Sequence, residues 1–144
     1  MTRAILPPRV RRVFVDSSAY YAVTDARDRN HELALAISEQ LVRARVQVFT
    51  TNFILAETHA LILARRDRVT SANVLAEIDD STTIIVRVSA SDERRPREII
   101  RQYDDKDFSL TDVMSFVVMQ RLRIPVAFTF DRDFAQYGFQ VLQT

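Results

Sequence analysis

The sequence has 144 residues, 47% hydrophobic and 27% charged, a size and balance that fit one compact domain and exclude a disordered or membrane-embedded chain. It has no Cys and only His31 and His59 as imidazoles, which rules out disulfides, thiol catalysis, thiolate metal sites and a His-based zinc site. Net charge is +1, yet Lys106 is the only lysine among 20 basic residues, and the lone glycine, Gly138, cannot build a Gly-rich phosphate loop.

In chain order, the first dozen residues carry Pro7, Pro8 and several arginines and read as a loose arm over residues 1–11, with one domain over 12–144. Val13-Phe14-Val15 is a short apolar run that stops at Asp16, as a buried strand would. A helix is predicted over about 18–23 and another over about 30–45, with Asn30 as its N-cap and Leu33, Ala34, Ile37 and Leu41 on one face. A second strand follows over 46–50, then helices over about 53–66, capped by Asn52, and about 70–78. Residues 83–88 are β-branched enough for a third strand. Pro96 is expected near the start of the next helix, which carries Ile99, Ile100 and Tyr103. Asp104 to Asp107 reads as a charged loop, Leu110 to Leu122 as a helix, and 126–129 and 139–142 as the last strands, with a short helix from Phe134 between them.

Strands alternating with helices through short connections imply parallel βαβ units, hence an α/β fold: a three-layer α/β/α sandwich with a mainly parallel central sheet. No apolar run approaches the roughly 20 residues of a bilayer crossing, and the N-terminus lacks a signal-peptide core, so a soluble cytoplasmic protein without membrane contact is expected.

Ligands of open α/β sheets bind beyond the carboxyl ends of the strands, which draws attention to four acids. Asp16 closes the first strand and is read equally as a functional group or as the N-cap of the next helix. Glu57 interrupts an apolar stripe of Phe53, Ile54, Ala60 and Leu61, a costly place for a carboxylate unless it binds a metal or pairs with a cation such as Arg65. Asp112 stands in Ser109-Leu110-Thr111-Asp112, a capping-box pattern, with Phe108 and Phe116 four residues to either side. Asp131 and Asp133 follow the late strand and are each placed to cap the short helix. Four acids at strand ends and helix starts of one sheet converge on one edge, where mutual repulsion demands a cation. Oxygen ligands without imidazole or thiolate favour Mg²⁺ or Mn²⁺, and such clusters suit phosphodiester hydrolysis.

Four segments, in order, carry a resemblance: 13–19 (Val-Phe-Val-Asp-Ser-Ser-Ala), 50–57 (Thr-Thr-Asn-Phe-Ile-Leu-Ala-Glu), 108–112 (Phe-Ser-Leu-Thr-Asp) and 127–134 (Ala-Phe-Thr-Phe-Asp-Arg-Asp-Phe). In this combination the chain from Arg12 onward resembles the PIN-domain ribonucleases of the VapC type, toxins of bacterial and archaeal toxin-antitoxin pairs. The resemblance implies an acidic metal site of Asp16, Glu57, Asp112 and Asp131, with Asp133 a peripheral fifth acid. It places Ser17, Thr51, Asn52 and Thr111 at small polar positions that orient the carboxylates or waters. It further implies cleavage of RNA, a homodimer, and inhibition by a small antitoxin protein.

An acidic edge repels RNA, so flanking cations are needed; Arg9, Arg11 and Arg12 on the arm and Arg94, Arg95 and Arg97 beside Pro96 are the candidates. Three other readings compete. A haloacid-dehalogenase-like phosphatase needs a second Asp two residues after the first, where Ser18 stands; a receiver domain needs a lysine after a late strand, whereas Lys106 precedes the late helix. The third is a catalytically silent PIN-like binding module, against which the retention of all four acids argues.

Overall fold

Val13, Phe14 and Val15 alternate between two apolar layers, as a strand covered on both faces requires. The structure, a computed structural model, describes residues 6–142. This strand, β1 (Arg12–Val15), is central in a five-stranded sheet with β2 (Gln47–Thr51), β3 (Ile84–Val86), β4 (Val126–Phe128) and β5 (Gln140–Val141). The order is β3-β2-β1-β4-β5 and every described pairing is parallel.

Seven helices cover it: α1 (Ser17–Thr24), α2 (His31–Arg43), α3 (Asn52–Arg65), α4 (Arg68–Asp80), α5 (Ala90–Gln102), α6 (Leu110–Leu122) and α7 (Arg132–Tyr137). Val13, Val15, Val126 and Phe128 face α1 and α2 through Ala19, Ala34, Ile37 and Leu41. Phe14 and Ala127 face the other layer, where Ile99, Val113, Phe116 and Phe134 come from α5, α6 and α7. Phe116 meets Phe134 edge-on at 4.9 Å. Each such fully buried aromatic contributes roughly 2–3 kcal/mol by removal from water. The expected three-layer sandwich is therefore present, with a sheet that is parallel throughout.

Three local expectations differ. Helix α5 starts at Ala90, well before Pro96, because Ser89 and Asp92 form a reciprocal capping box. Pro96 sits buried inside the helix, where it removes a backbone donor at a cost of about 3 kcal/mol. The Asp92 ion pair with Arg121 of α6, at 2.9 Å, anchors the helix across that defect. Asn52 does not cap α3: Thr51 does, accepting from the Ile54 N–H at 3.1 Å, while Asn52 Oδ1 accepts from the Val88 N–H and pins the segment after β3. Asn30 makes no side-chain cap bond; Asp28 instead accepts its N–H at 2.8 Å.

The arm also differs where it is described. Residues 6–11 lie against the domain: the Leu6 N–H donates to Gln40 Oε1 at 2.9 Å, and Leu6 and Val10 pack on the α1–α2 layer. Residues 1–5 of the expected arm lie outside the described residues.

Candidate active site

At β1 the chain's strand order reverses, with β2 on one side and β4 on the other, and the carboxyl ends of these strands form the crevice where such sheets bind ligands. β1 delivers Asp16 there because the strand ends and α1 begins at once. The Asp16 side chain caps α1, accepting from the Ser18 N–H at 3.4 Å and Ser18 Oγ at 2.8 Å, and is only 2% exposed. Thr129, just past β4, donates its hydroxyl to Asp16 Oδ2 at 2.9 Å and accepts the Asp131 N–H at 3.0 Å. One hydroxyl thus fixes two acids that come from different strands. Burial pushes the Asp16 carboxyl above its ordinary value, opposed by the Ser18 and Thr129 bonds and reinforced by the Glu57 charge.

Asp112 reaches the same edge from the first turn of α6. Its backbone N–H donates to Ser109 Oγ at 3.0 Å, and its carboxylate accepts the Ser109 N–H at 3.4 Å. Burial, then the charges of Asp131 and Asp16, push its carboxyl up to about 7. Asp131 caps α7 by accepting the Asp133 N–H at 2.9 Å. Capping and clustering are therefore one arrangement, since each helix N-terminus that an acid caps also points its positive end at the cluster.

Asp112, Asp131 and Asp133 each offer a carboxylate oxygen within 4.8 Å of the others, so Asp133, expected at the periphery, belongs to the tightest group. Burial first, then the Asp131 charge, raise its carboxyl. Glu57 lies on the adjacent flank, on α3, where the Ser17 hydroxyl donates to its Oε1. It does not pair with Arg65, whose guanidinium lies over the Tyr21 ring, 5.2 Å from its centroid.

Of the four small polar residues expected to support the acids, only Ser17 hydrogen-bonds a carboxylate. Thr51 caps α3, Asn52 accepts the Val88 N–H, and Thr111 enters through its carbonyl, which accepts from Ser115 Oγ. The supporting hydroxyls the sequence reading missed are Ser18 and Thr129. Only the strand pairing that brings β4 beside β1 makes Thr129 legible.

The structure does not bring the six expected RNA-contacting arginines to this edge. Arg12 opens β1 at the opposite end of the sheet and donates to the Leu122 and Arg123 carbonyls at 2.8 Å each. Arg9 and Arg11 line a cleft at that same amino end with Pro125 and Gln140. Helices α5 and α6 run antiparallel, since Asp92 early in α5 meets Arg121 late in α6. Arg94 and Arg95 therefore lie in the half of α5 remote from Asp112 and Arg97 just past its middle; Arg95 pairs with Glu98, and Arg97 donates to the Glu93 carbonyl.

The donor set is all oxygen, largely buried, mutually repelling and without a cation among its hydrogen-bond partners. It fits a hard divalent ion far better than zinc, which prefers nitrogen and sulfur.

A parallel α/β sandwich with clustered carboxylates at its switch point is an architecture suited to metal-dependent phosphodiester hydrolysis. The PIN domain family matches residues 13–140, and the chain belongs to that family. It is 36% identical over 130 residues to the 23S rRNA-specific endonuclease VapC20 of two Mycobacterium tuberculosis strains, covering 88% of this chain and 95% of the relative. The crystal structure of Mycobacterium tuberculosis VapC20, described as a sarcin-ricin loop cleaving toxin, superposes with a TM-score of 0.81 at 28% identity, over 91% of this chain and 99% of that one. FitAcB from Neisseria gonorrhoeae shares the fold, with a TM-score of 0.66 at 12% identity over 91% and 96% of the two chains. Among the described residues no helix is long and apolar enough to cross a membrane.

Proposed function

We propose that this chain is a divalent-metal-dependent endoribonuclease and the toxin of a toxin-antitoxin pair. The observation that carries the reading is the uncompensated carboxylate cluster at the switch point of a PIN-family fold. Asp16, Asp112 and Asp131, with Glu57 and Asp133 on either flank, are the residues that would hold Mg²⁺ or Mn²⁺. When bound, such an ion supplies water activation and neutralises charge on the phosphate oxygens.

The chain's own residues do the positioning. Ser18 and Thr129 fix the orientation of Asp16, Thr129 also sets the backbone of Asp131, and Ser17 turns Glu57 toward the edge. Burial and the neighbouring acids push the Asp112 carboxyl up to about 7, and a divalent cation held there would favour its charged form. The phosphatase alternative is disfavoured because Ser18 stands where a second Asp is needed and spends its hydroxyl on Asp16.

The identity to VapC20 makes a ribosomal RNA loop the first substrate class to test. We assign the antitoxin to the apolar cleft of about 250 Å³ between α1, α2 and α4, whose lining includes Val23, Leu41, Val74, Ile78 and the exposed Val42, and expect the free toxin to be a homodimer. Purified protein incubated with total RNA should give discrete new ends in Mg²⁺ or Mn²⁺ and none in EDTA. Full cleavage in EDTA sinks the reading.

A further inference from the structure

Beside the acids runs a cleft of about 230 Å³ whose lining includes Asp16, Asp131, Phe130, Tyr21, Leu61 and Arg65. Its walls are two helices in register. On α1, Ser17 and Tyr21 are four apart; on α3, Glu57, Leu61 and Arg65 follow the same spacing, so each set shares a face. Ser17 donates to Glu57 at the acidic end, and Tyr21, one turn further along α1, meets Arg65, two turns further along α3. The cleft thus changes sign along its length, from carboxylates to a guanidinium.

Arg65 differs from the other cations near this region. Arg27 and Arg66 both engage Asp25, Arg121 engages Asp92, and Arg132 lies beside Asp133, whose charge it offsets. Among the described residues Arg65 has no carboxylate within ion-pair distance; its partner is Tyr21, over whose ring it lies and whose hydroxyl it also reaches. That ring is itself fixed, since Tyr21 is 6% exposed and its hydroxyl donates to Asp25 Oδ2 at 2.6 Å. A guanidinium has five N–H donors, so one held over a fixed aromatic and bonded to its hydroxyl still has donors left for a phosphate. Asp28, which lines the cleft together with Asp16 and Asp131, accepts the Asn30 N–H of its own loop at 2.8 Å.

We infer that Arg65, held on Tyr21, is the positioning residue that grips a backbone phosphate of the RNA strand flanking the one presented to the acids. The inference rests on the ribonuclease reading and gives it a grip that the arm and the first half of α5 are too remote to supply. Because the contact is made alike in the bound substrate and in the transition state, its loss falls on KM more than on kcat.

The test compares Arg65→Ala and Arg65→Lys with the unaltered protein, using a fluorescent oligoribonucleotide that the latter cleaves in Mn²⁺. Arg65→Ala should raise KM about tenfold and make the salt dependence of log KM shallower by roughly 0.7, the share of one phosphate on a single strand. Mn²⁺ affinity, measured by calorimetry, should stay the same. Arg65→Lys keeps the charge but loses the planar stack, so it should recover only part of the loss. Binding of the same oligonucleotide, by anisotropy in an Asp112→Asn background, should weaken in parallel and is read without cleavage. An Arg65→Ala protein with unaltered KM, binding and salt slope overturns the inference while leaving the ribonuclease reading intact. A changed Mn²⁺ affinity also overturns it, by showing that Arg65 acts through the acids. An unaltered protein that cuts no RNA in Mn²⁺ sinks the ribonuclease reading instead, and the inference with it.

Discussion

Four aspartates are almost fully buried, and they divide into two pairs. Asp25 and Asp92 are 4% and 5% exposed, Asp16 and Asp112 2% and 6%. The first pair is answered by donors. The Tyr21 hydroxyl, followed by the Arg27 N–H, holds the Asp25 carboxyl well below the usual range. Burial pushes Asp92 upward, but the Ser89 N–H and the Arg121 guanidinium outweigh it and leave the carboxyl low. The second pair receives hydroxyls and backbone donors but no cation, faces other acids, and is raised. Burial therefore does not separate structural from functional acids; whether donors and cations or other acids surround the carboxylate does.

The sharpest way to break the comparison is to neutralise one acid from each pair. Asp112→Asn keeps shape and capping geometry and removes a ligand charge. Its kcat/KM on RNA should fall by about a thousandfold or more, while the metal-free protein becomes more stable at pH 8. A melting temperature that drops in EDTA would mean that the cap outweighs the repulsion. Asp92→Ala should do the reverse. Losing the capping box and the Arg121 pair costs about 2 kcal/mol in urea unfolding. Cleavage per folded molecule should change little, and a loss of activity beyond the unfolded fraction would place Asp92 with the functional pair.

The smallest effect is in the pH profile, where the two pairs have opposite signs. The Asp112 carboxyl titrates near 7 in the fold and at its ordinary 3.8 in the unfolded chain. The fold thus holds the proton more tightly, and this contribution is complete below about pH 4 and lost as pH rises to about 7. The lowered acids contribute stability that is present above the ordinary carboxylate value and lost only in stronger acid, so they are constant over the upper range. In EDTA, unfolding free energy should fall by about 2 kcal/mol between pH 5.5 and 8. Asp112→Asn should flatten that slope, and a slope that survives the substitution would remove Asp112 as its source.

Much of this division was legible in the residues. Val13-Phe14-Val15 before Asp16 announced the central strand, and Ser109 with Asp112 announced both a cap and an acid on the α6 N-terminus. What stayed hidden depended on partners far along the chain. Glu57 next to Arg65 on one helix suggested an internal pair; the structure gives Glu57 to Ser17 and Arg65 to Tyr21, because α1 lies between them and the rest of the layer. Pro96 suggested a helix start, since the capping box at Ser89 and Asp92 that lets α5 begin earlier is a weaker signal than a proline. The arginines of the arm and of α5 were counted as charge before their place was known, and the parallel strands put Arg12 and Asp16 at opposite ends of the sheet.

The hydroxyl of Thr129 reaches Asp16 across 113 positions of sequence and joins it to Asp131. Synthesis proceeds from the amino terminus, so this link has a consequence in time. A nascent chain that has already exposed Asp16, Glu57 and Asp112 still lacks Thr129, Asp131 and Asp133, and β4 is not yet present to close the edge. For most of its translation the polypeptide therefore carries scattered acids rather than an assembled site.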